Sequence, residues 1–405
     1  VGEQEGARWI YPLTHRGKAL AEAFQEGIAT TSYANQLIEE DELSAISHDH
    51  AIEYGEKCCL CAEVMQEAPD RVPLLDAFFR FDQTGTDNPH VCRRLTLGLL
   101  LDLVEQSAAT PFADQLRPAL YLSQLAPDHP YQARPALADW FQRWRMVQVR
   151  HAYTSALQCI WALFLDHLAM EDQITPDAFM AYVDSCIPDA TLQTPLSAYL
   201  DQCCQESGLE PNWHEAHPNF HTQCDITSEH HELTLFAAIW DSRRDPEVMV
   251  NQAMRILSQL FLRHYSLWQE HDNIWQEMAT AERVPLNQFM EDCQHHLDRD
   301  SSYAEWLHFL IMNYCLGQHE ATALQKLRAN SYNTFKFYFQ QDKLVWARNP
   351  ANYQVPLRFP GLRLNNALSI LIDLGLVDQD EGGICRLTAD GEQFLARVVE
   401  SDHGT

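Results

Sequence analysis

The chain has 405 residues, enough for two or three domains of about 100–200 residues each. Hydrophobic residues make up 46% and charged residues 21%, a globular balance that excludes a disordered or collagen-like chain. Its 57 acidic and 28 basic side chains give a formal charge of −29, a field that repels nucleic acid and anionic membrane except where the charge is locally reversed.

Residues 9–24 (WIYPLTHRGKALAEAF) read as a short strand running into Thr14. Its hydroxyl can accept from a free N–H of the first helical turn, so Thr14 is an N-cap. The helix after it carries Ala19, Leu20, Ala23 and Phe24 on one side. Residues 95–104 form a solidly apolar helix. Between 107 and 136 five prolines (Pro111, Pro118, Pro127, Pro130, Pro135) break the helical run and mark the first boundary. A long helix follows over 140–170. Thr175, Pro176 and Asp177 are the cap, first position and acidic first turn of the next. Residues 249–275 and 303–316 are two further apolar helices. Almost no segment alternates strictly with period two, so the body is expected to be an all-α array without a large sheet.

The sharpest pattern is at the C-terminus. Residues 362–374 are amphipathic, with Leu364, Ala367, Leu368, Leu371 and Leu374 on one face. Gly375 stops that helix. A strand begins at Leu376 and Val377, Asp380 to Gly383 turn the chain, and residues 384–387 return. Thr388 then caps a last helix to Val399. The order helix, Gly, strand, Gly-rich tip, strand, helix resembles the second half of a winged helix-turn-helix domain, as in many bacterial transcription regulators. Leu13-Thr14-x-x-Gly17 and Leu387-Thr388-x-x-Gly391 share one pattern, which suggests a partial winged-helix unit at the N-terminus as well. The expected fold is therefore mainly α, a helical array with a C-terminal winged-helix domain. Three segments are expected: 1–110, a helical domain with a winged-helix-like start; 130–318, a central helical domain; and 321–405, a basic aromatic segment plus the winged-helix domain.

In a DNA-reading winged helix, the polar face of the helix before the wing meets base edges. Here that face carries Arg363, Asn365, Asn366 and Ser369, and Asn and Arg suit adenine and guanine edges. The wing carries Asp378, Asp380 and Glu381, which repel phosphate and favour a protein partner. Against this stands a local charge reversal. Residues 321–372 hold Lys326, Arg328, Lys336, Lys343, Arg348, Arg358 and Arg363 against one acid, Asp342. Tyr332, Phe335, Phe337, Tyr338, Phe339, Trp346, Tyr353 and Phe359 are interleaved. Basic side chains with planar rings suit a nucleic-acid backbone and its bases. The same residues also suit docking onto the helical body, with the cations pairing to the acidic remainder, and that reading leads. The seven cations with Asn366 are the candidate partner-binding or nucleic-acid surface.

Other chemistry is less sharply marked. Most of the twelve cysteines fall in apolar helical stretches, for example Cys159 and Cys315, and read as small buried hydrophobes in a reducing cytoplasm. His48, His50, Cys58, Cys59, Cys61 and Cys92 form a first cluster, but its helical flanks would put Cys58 and Cys61 on one face and Cys59 elsewhere, and a structural reading leads there. His214, His217, His221 and Cys224 have a spacing that suits zinc without the His-Glu-x-x-His order of metalloproteases; a solvated acidic loop is the leading reading there. No nucleophile elbow, phosphate loop or dinucleotide fingerprint is present, so no cofactor and no catalytic residue is expected. No apolar run reaches about 18 residues, which leaves no membrane partner.

A helical middle flanked by winged-helix-like ends is similar to kleisin-type subunits of bacterial chromosome-structuring or plasmid-defence complexes, and more loosely to accessory subunits of phage-defence systems. The resemblance implies a non-enzymatic, cytoplasmic subunit of a DNA-associated, multi-protein complex. It would dock on a protein partner, an ATPase being the candidate, through its winged-helix end, with DNA as a further candidate partner. The alternatives are a DNA-binding transcription regulator and a zinc-dependent enzyme using the His214 to His231 cluster.

Overall fold

The computed structural model describes residues 3–5, 8–10, 13–39, 46–58, 66–85, 87–171, 173–208, 228–242, 244–279, 286–330, 333–347, 357, 361 and 363–402. They are mainly helical, with short strands only. No helix among them is long and apolar enough to cross a membrane. The chain divides into two compact units. One comprises Val1–Leu116, Tyr131–Phe141 and Leu362–Thr405; the other comprises Arg117–Pro130 and Gln142–Gly361.

The first unit is organised around the helix Pro89–Glu105. Asn88 caps it, accepting the His90 N–H at 2.9 Å, and Pro89 takes the first position, where no N–H is needed. Val91, Leu95, Leu97, Leu99, Leu100, Leu101, Leu103 and Val104 are all buried. A helix apolar on so many faces needs partners on more than one side. The C-terminal elements supply them: the helices Leu364–Asp373 and Ala389–Asp402 and the strand Cys385–Leu387 pack against it. The Arg71 guanidinium ties the two chain ends together. Its Nε donates to the Leu374 carbonyl at 3.0 Å and its Nη2 to Asp390 Oδ2 at 2.7 Å. Phe394 lies 4.8 Å from Phe79, and Arg397 sits 3.9 Å over the Phe81 ring. Residues 362–405 therefore pack in the same unit as the N-terminal segment. The all-round apolar helix at 95–104 is the physical reason.

Both ends of this unit use one local design. The antiparallel strands Glu3–Glu5 and Arg8–Ile10 precede Thr14, whose Oγ1 accepts the Gly17 N–H at 3.1 Å and starts the helix His15–Ile28. The antiparallel strands Val377–Gln379 and Cys385–Leu387 precede Thr388, whose Oγ1 accepts the Gly391 N–H at 3.1 Å and starts the helix Ala389–Asp402. Gly375, with φ of 70°, ends the helix before the second hairpin as expected.

The second unit is built on residues 142–171 of the helix Ala138–Glu171, which the sequence places at 140–170. Val149, Ala152, Ala156, Ile160 and Phe164 are buried in its core with Leu257, Phe261 and Leu310. Three expectations shift. The proline-rich stretch holds a helix, Phe112–Leu122, that continues through Pro118, because Leu116, Ala119, Leu120, Tyr121 and Leu122 are fully buried and offset the missing N–H. The expected helix at 249–275 is two, Pro246–Gln269 and Asn273–Ala279. His271 takes a left-handed φ of 54°, and Asp272 Oδ1 caps the new helix by accepting the Trp275 N–H at 2.8 Å. The helix at 303–316 begins with a capping box of Ser302 and Glu305, then widens to a π-helix over Leu310–Gly317 before Gln318–Asn330. A three-stranded sheet, with Lys343–Trp346 between Gln173–Ile174 and Phe337–Gln340, is the largest among the described residues.

Of the described cysteines, Cys159, Cys203, Cys204, Cys293, Cys315 and Cys385 are buried, while Cys92 and Cys186 are half-buried. Burial pushes the Cys159 and Cys315 thiols up to about 12, so both stay protonated and unreactive at neutral pH.

Candidate functional site

The basic segment is divided between the two units. Lys326, Arg328, Lys336 and Lys343 lie in the second; Arg363 and Asn366 lie in the first. Arg348 and Arg358 lie outside the described residues. Arg328 and Lys343 are exposed, and Lys326 and Lys336 are half-buried. The interleaved aromatics divide as well. Phe337 is buried in the helical core and Trp346 packs against it, while Tyr338 and Phe339 are exposed. Part of the ring set thus serves the core of the second unit itself.

Lys326 and Lys336 share a cleft of about 360 Å³ with Trp161, His319, Thr322 and Asn333. Rings cluster beside it: the His319 imidazole lies 4.7 Å from the Trp161 ring and 4.9 Å from the buried Phe337. The Lys336 backbone N–H donates to His319 Nε2 at 3.1 Å, which requires that nitrogen to be unprotonated. Burial first, then the nearby charges of Lys336 and Lys326, push the His319 pKa down to about 4. The π-helix immediately upstream shifts the faces of the following helix relative to a continuous α-helix, and it leads directly into Gln318 and His319. The unfolded chain takes up its proton near 6.5 and the folded one near 4. Stability due to neutral His319 is thus present above that window and is lost as pH falls through it. His319 ring resonances should stay in the neutral form between about pH 5 and 8, as read by imidazole nitrogen–proton correlation spectra. A midpoint near 6.5 would show that the imidazole is neither buried nor bonded as described.

The second place is the helix–hairpin–helix end of the first unit. Leu364, Leu368 and Leu371 face inward, and Arg363, Asn365, Asn366 and Ser369 are exposed. Ser369 Oγ donates to the Asn365 carbonyl at 3.1 Å, so its hydroxyl proton is used within the helix. The hairpin tip is closed by Asp380, whose Oδ1 accepts the N–H groups of Gly382 and Ile384, each at 3.0 Å. Asp378, Asp380 and Glu381 are exposed there. The nearest cation is Arg386, its Nη1 3.9 Å from Asp380 Oδ2, so the tip remains net acidic.

His214, His217, His221 and Cys224 lie outside the described residues, as do Cys59 and Cys61. His50 Nδ1 shares a hydrogen bond with Gln36 Oε1 at 3.1 Å. Among the described residues, no group of three or more His, Cys, Asp or Glu side chains is placed to hold a metal ion. Sequence reasoning found Lys326 and Lys336 but missed Trp161 and His319 as their neighbours. Trp161 stands in an ordinary core stripe, and nothing local in the sequence marks it as facing a cleft. No protein-family model, curated protein or solved structure matches the chain.

Proposed function

We propose that the chain is a non-enzymatic subunit of a multi-protein, DNA-associated complex and that its helix–hairpin–helix end is a winged-helix-like docking element. The observation that carries this reading is the acidic hairpin tip. A tip bearing three exposed carboxylates against one cation, Arg386, is repelled by phosphate, which disfavours the DNA-docking mode and suits a basic protein surface. The overall charge of −29 acts in the same direction.

A second reading, a DNA-binding regulator, is favoured by the exposed Arg363, Asn365 and Asn366 on the preceding helix. Titration against a mixed-sequence duplex at two salt concentrations separates the two. The docking reading predicts no retention by the isolated chain even at low salt. Salt-dependent retention that is lost in Arg363→Glu would establish the regulator reading instead.

A further inference from the structure

We propose that the cleft between the helices Ala138–Glu171 and Gln318–Asn330 and the lead-in to the strand Phe337–Gln340 binds a phosphate-bearing planar ligand of single-nucleotide size. All described residues that line the cleft lie in the second unit, apart from the end proposed to dock.

The cleft combines features that suit such a ligand. Its volume of about 360 Å³ falls at the lower end of small-molecule pockets, which run from about 300 to 1,000 Å³. That suits one nucleotide better than a strand. Two cationic residues, Lys326 and Lys336, line it, and no carboxylate is among the described residues that line it. The charges acting on the His319 imidazole are those same two cations. In a chain with two acids for every base, two cations and no acid among the described lining residues belong to the locally reversed charge of residues 321–372. The side chains of Thr322, Asn333 and Thr334 add neutral hydrogen-bonding groups. Trp161 and Phe335 supply aromatic walls, each half-buried, so part of each ring surface is held by the fold while the remainder lines the cleft. His319 is held in place by the Lys336 N–H and by the Trp161 and Phe337 rings, which makes it a neutral part of the wall and not a third cation. Ammonium groups recognise a phosphate as point charges, and aromatic faces accept a base plane without reading its edge. The site therefore discriminates on phosphate and ring, and little on base identity.

The test is calorimetric titration of the full chain at low salt with AMP, adenosine, inorganic phosphate and a 5′-phosphorylated tetranucleotide. AMP should bind, inorganic phosphate should bind more weakly and compete with it, and adenosine should bind at least about tenfold more weakly than AMP. Lys326→Gln and Lys336→Gln should each weaken AMP by about tenfold, the loss expected for one charge-assisted hydrogen bond. Lys343→Gln, an exposed lysine outside the cleft, should leave it unchanged. Circular dichroism melting of each variant separates loss of binding from loss of fold. Phe335→Leu should weaken AMP and leave inorganic phosphate unchanged, which reads the ring separately from the charge. A tetranucleotide that binds like AMP identifies a free nucleotide as occupant; one that binds much more tightly identifies a strand end. No AMP binding at millimolar concentration, equal binding of AMP and adenosine, or AMP binding unaffected by both lysine changes would overturn the assignment.

Discussion

Arg263→Met is expected to destabilise the second unit by about 3–5 kcal/mol, as breaking a buried ion pair does when one partner is left behind. Arg263 and Glu232 are both fully buried. Arg263 Nε donates to Glu232 Oε1 at 2.7 Å and Nη2 to Oε2 at 3.1 Å, a two-point pairing. Tyr121 Oη donates to Oε1 at 2.7 Å. Glu232 is also the first residue of the helix Glu232–Asp241, where a carboxylate meets the positive end of the helix dipole. Removing the guanidinium leaves a buried carboxylate with Tyr121 and its own helix end. Restoring neutrality with Arg263→Met/Glu232→Gln should recover much of the loss, because the desolvated charge is then gone. The pH dependence supplies an independent sign. Burial alone would raise the Glu232 pKa, but the Arg263 charge and the hydrogen bonds from Arg263 and Tyr121 outweigh it and hold the carboxyl below its ordinary value of 4.5. Stability from the pair is therefore present above the ordinary carboxylate range and is lost as pH falls through the folded value. In Arg263→Met the shift reverses to a raised pKa, so this contribution falls as pH rises through that value. Urea denaturation from pH 3 to pH 8, followed by fluorescence, checks both. A loss below about 1 kcal/mol, or an unchanged slope with pH, would show that the pair is not dry.

Gly391→Ala should destabilise the first unit by about 3 kcal/mol or more, although Gly→Ala inside a helix normally stabilises by about 0.5–1 kcal/mol. A Cβ at this position would sit 2.0 Å from the Leu376 carbonyl oxygen. That oxygen is backbone and already accepts the Thr388 N–H at 3.2 Å, so it has no flexible side chain through which to move away. Relief requires the helix Ala389–Asp402 to separate from the hairpin, and Leu395 and Val398 of that helix are buried. The change should lower the melting temperature of the transition that carries this unit in a calorimetric scan. A neutral or stabilising effect would mean that the helix and hairpin do not approach as described.

Much of this architecture is legible from local physics. Thr14 and Thr388 cap their helices through the same spacing to a glycine, and Pro176 follows its cap because the first helical position needs no N–H. Other features depend on tertiary partners that no window of sequence contains. The left-handed turn at His271, which splits a continuous apolar run, carries no glycine to announce it. The hairpin Phe337–Gln340 and Lys343–Trp346 turns at Gln341, also without a glycine, and its signal is only the brief alternation around Phe337 and Phe339. The lysines of the cleft are visible as a charge reversal. The Trp161 wall is not, since a half-buried tryptophan on a core helix reads the same whether it faces another helix or a cavity.

The docking claim is tested most directly by affinity purification of the tagged chain from its source cell, with the partner identified, purified and titrated against the chain. The account predicts a defined, salt-sensitive protein partner whose affinity falls by about tenfold or more in Asp378→Lys/Glu381→Lys, with Asp380 left in place to close the turn. A partner bound equally well by that variant, or duplex retention that depends on Arg363, would contradict it.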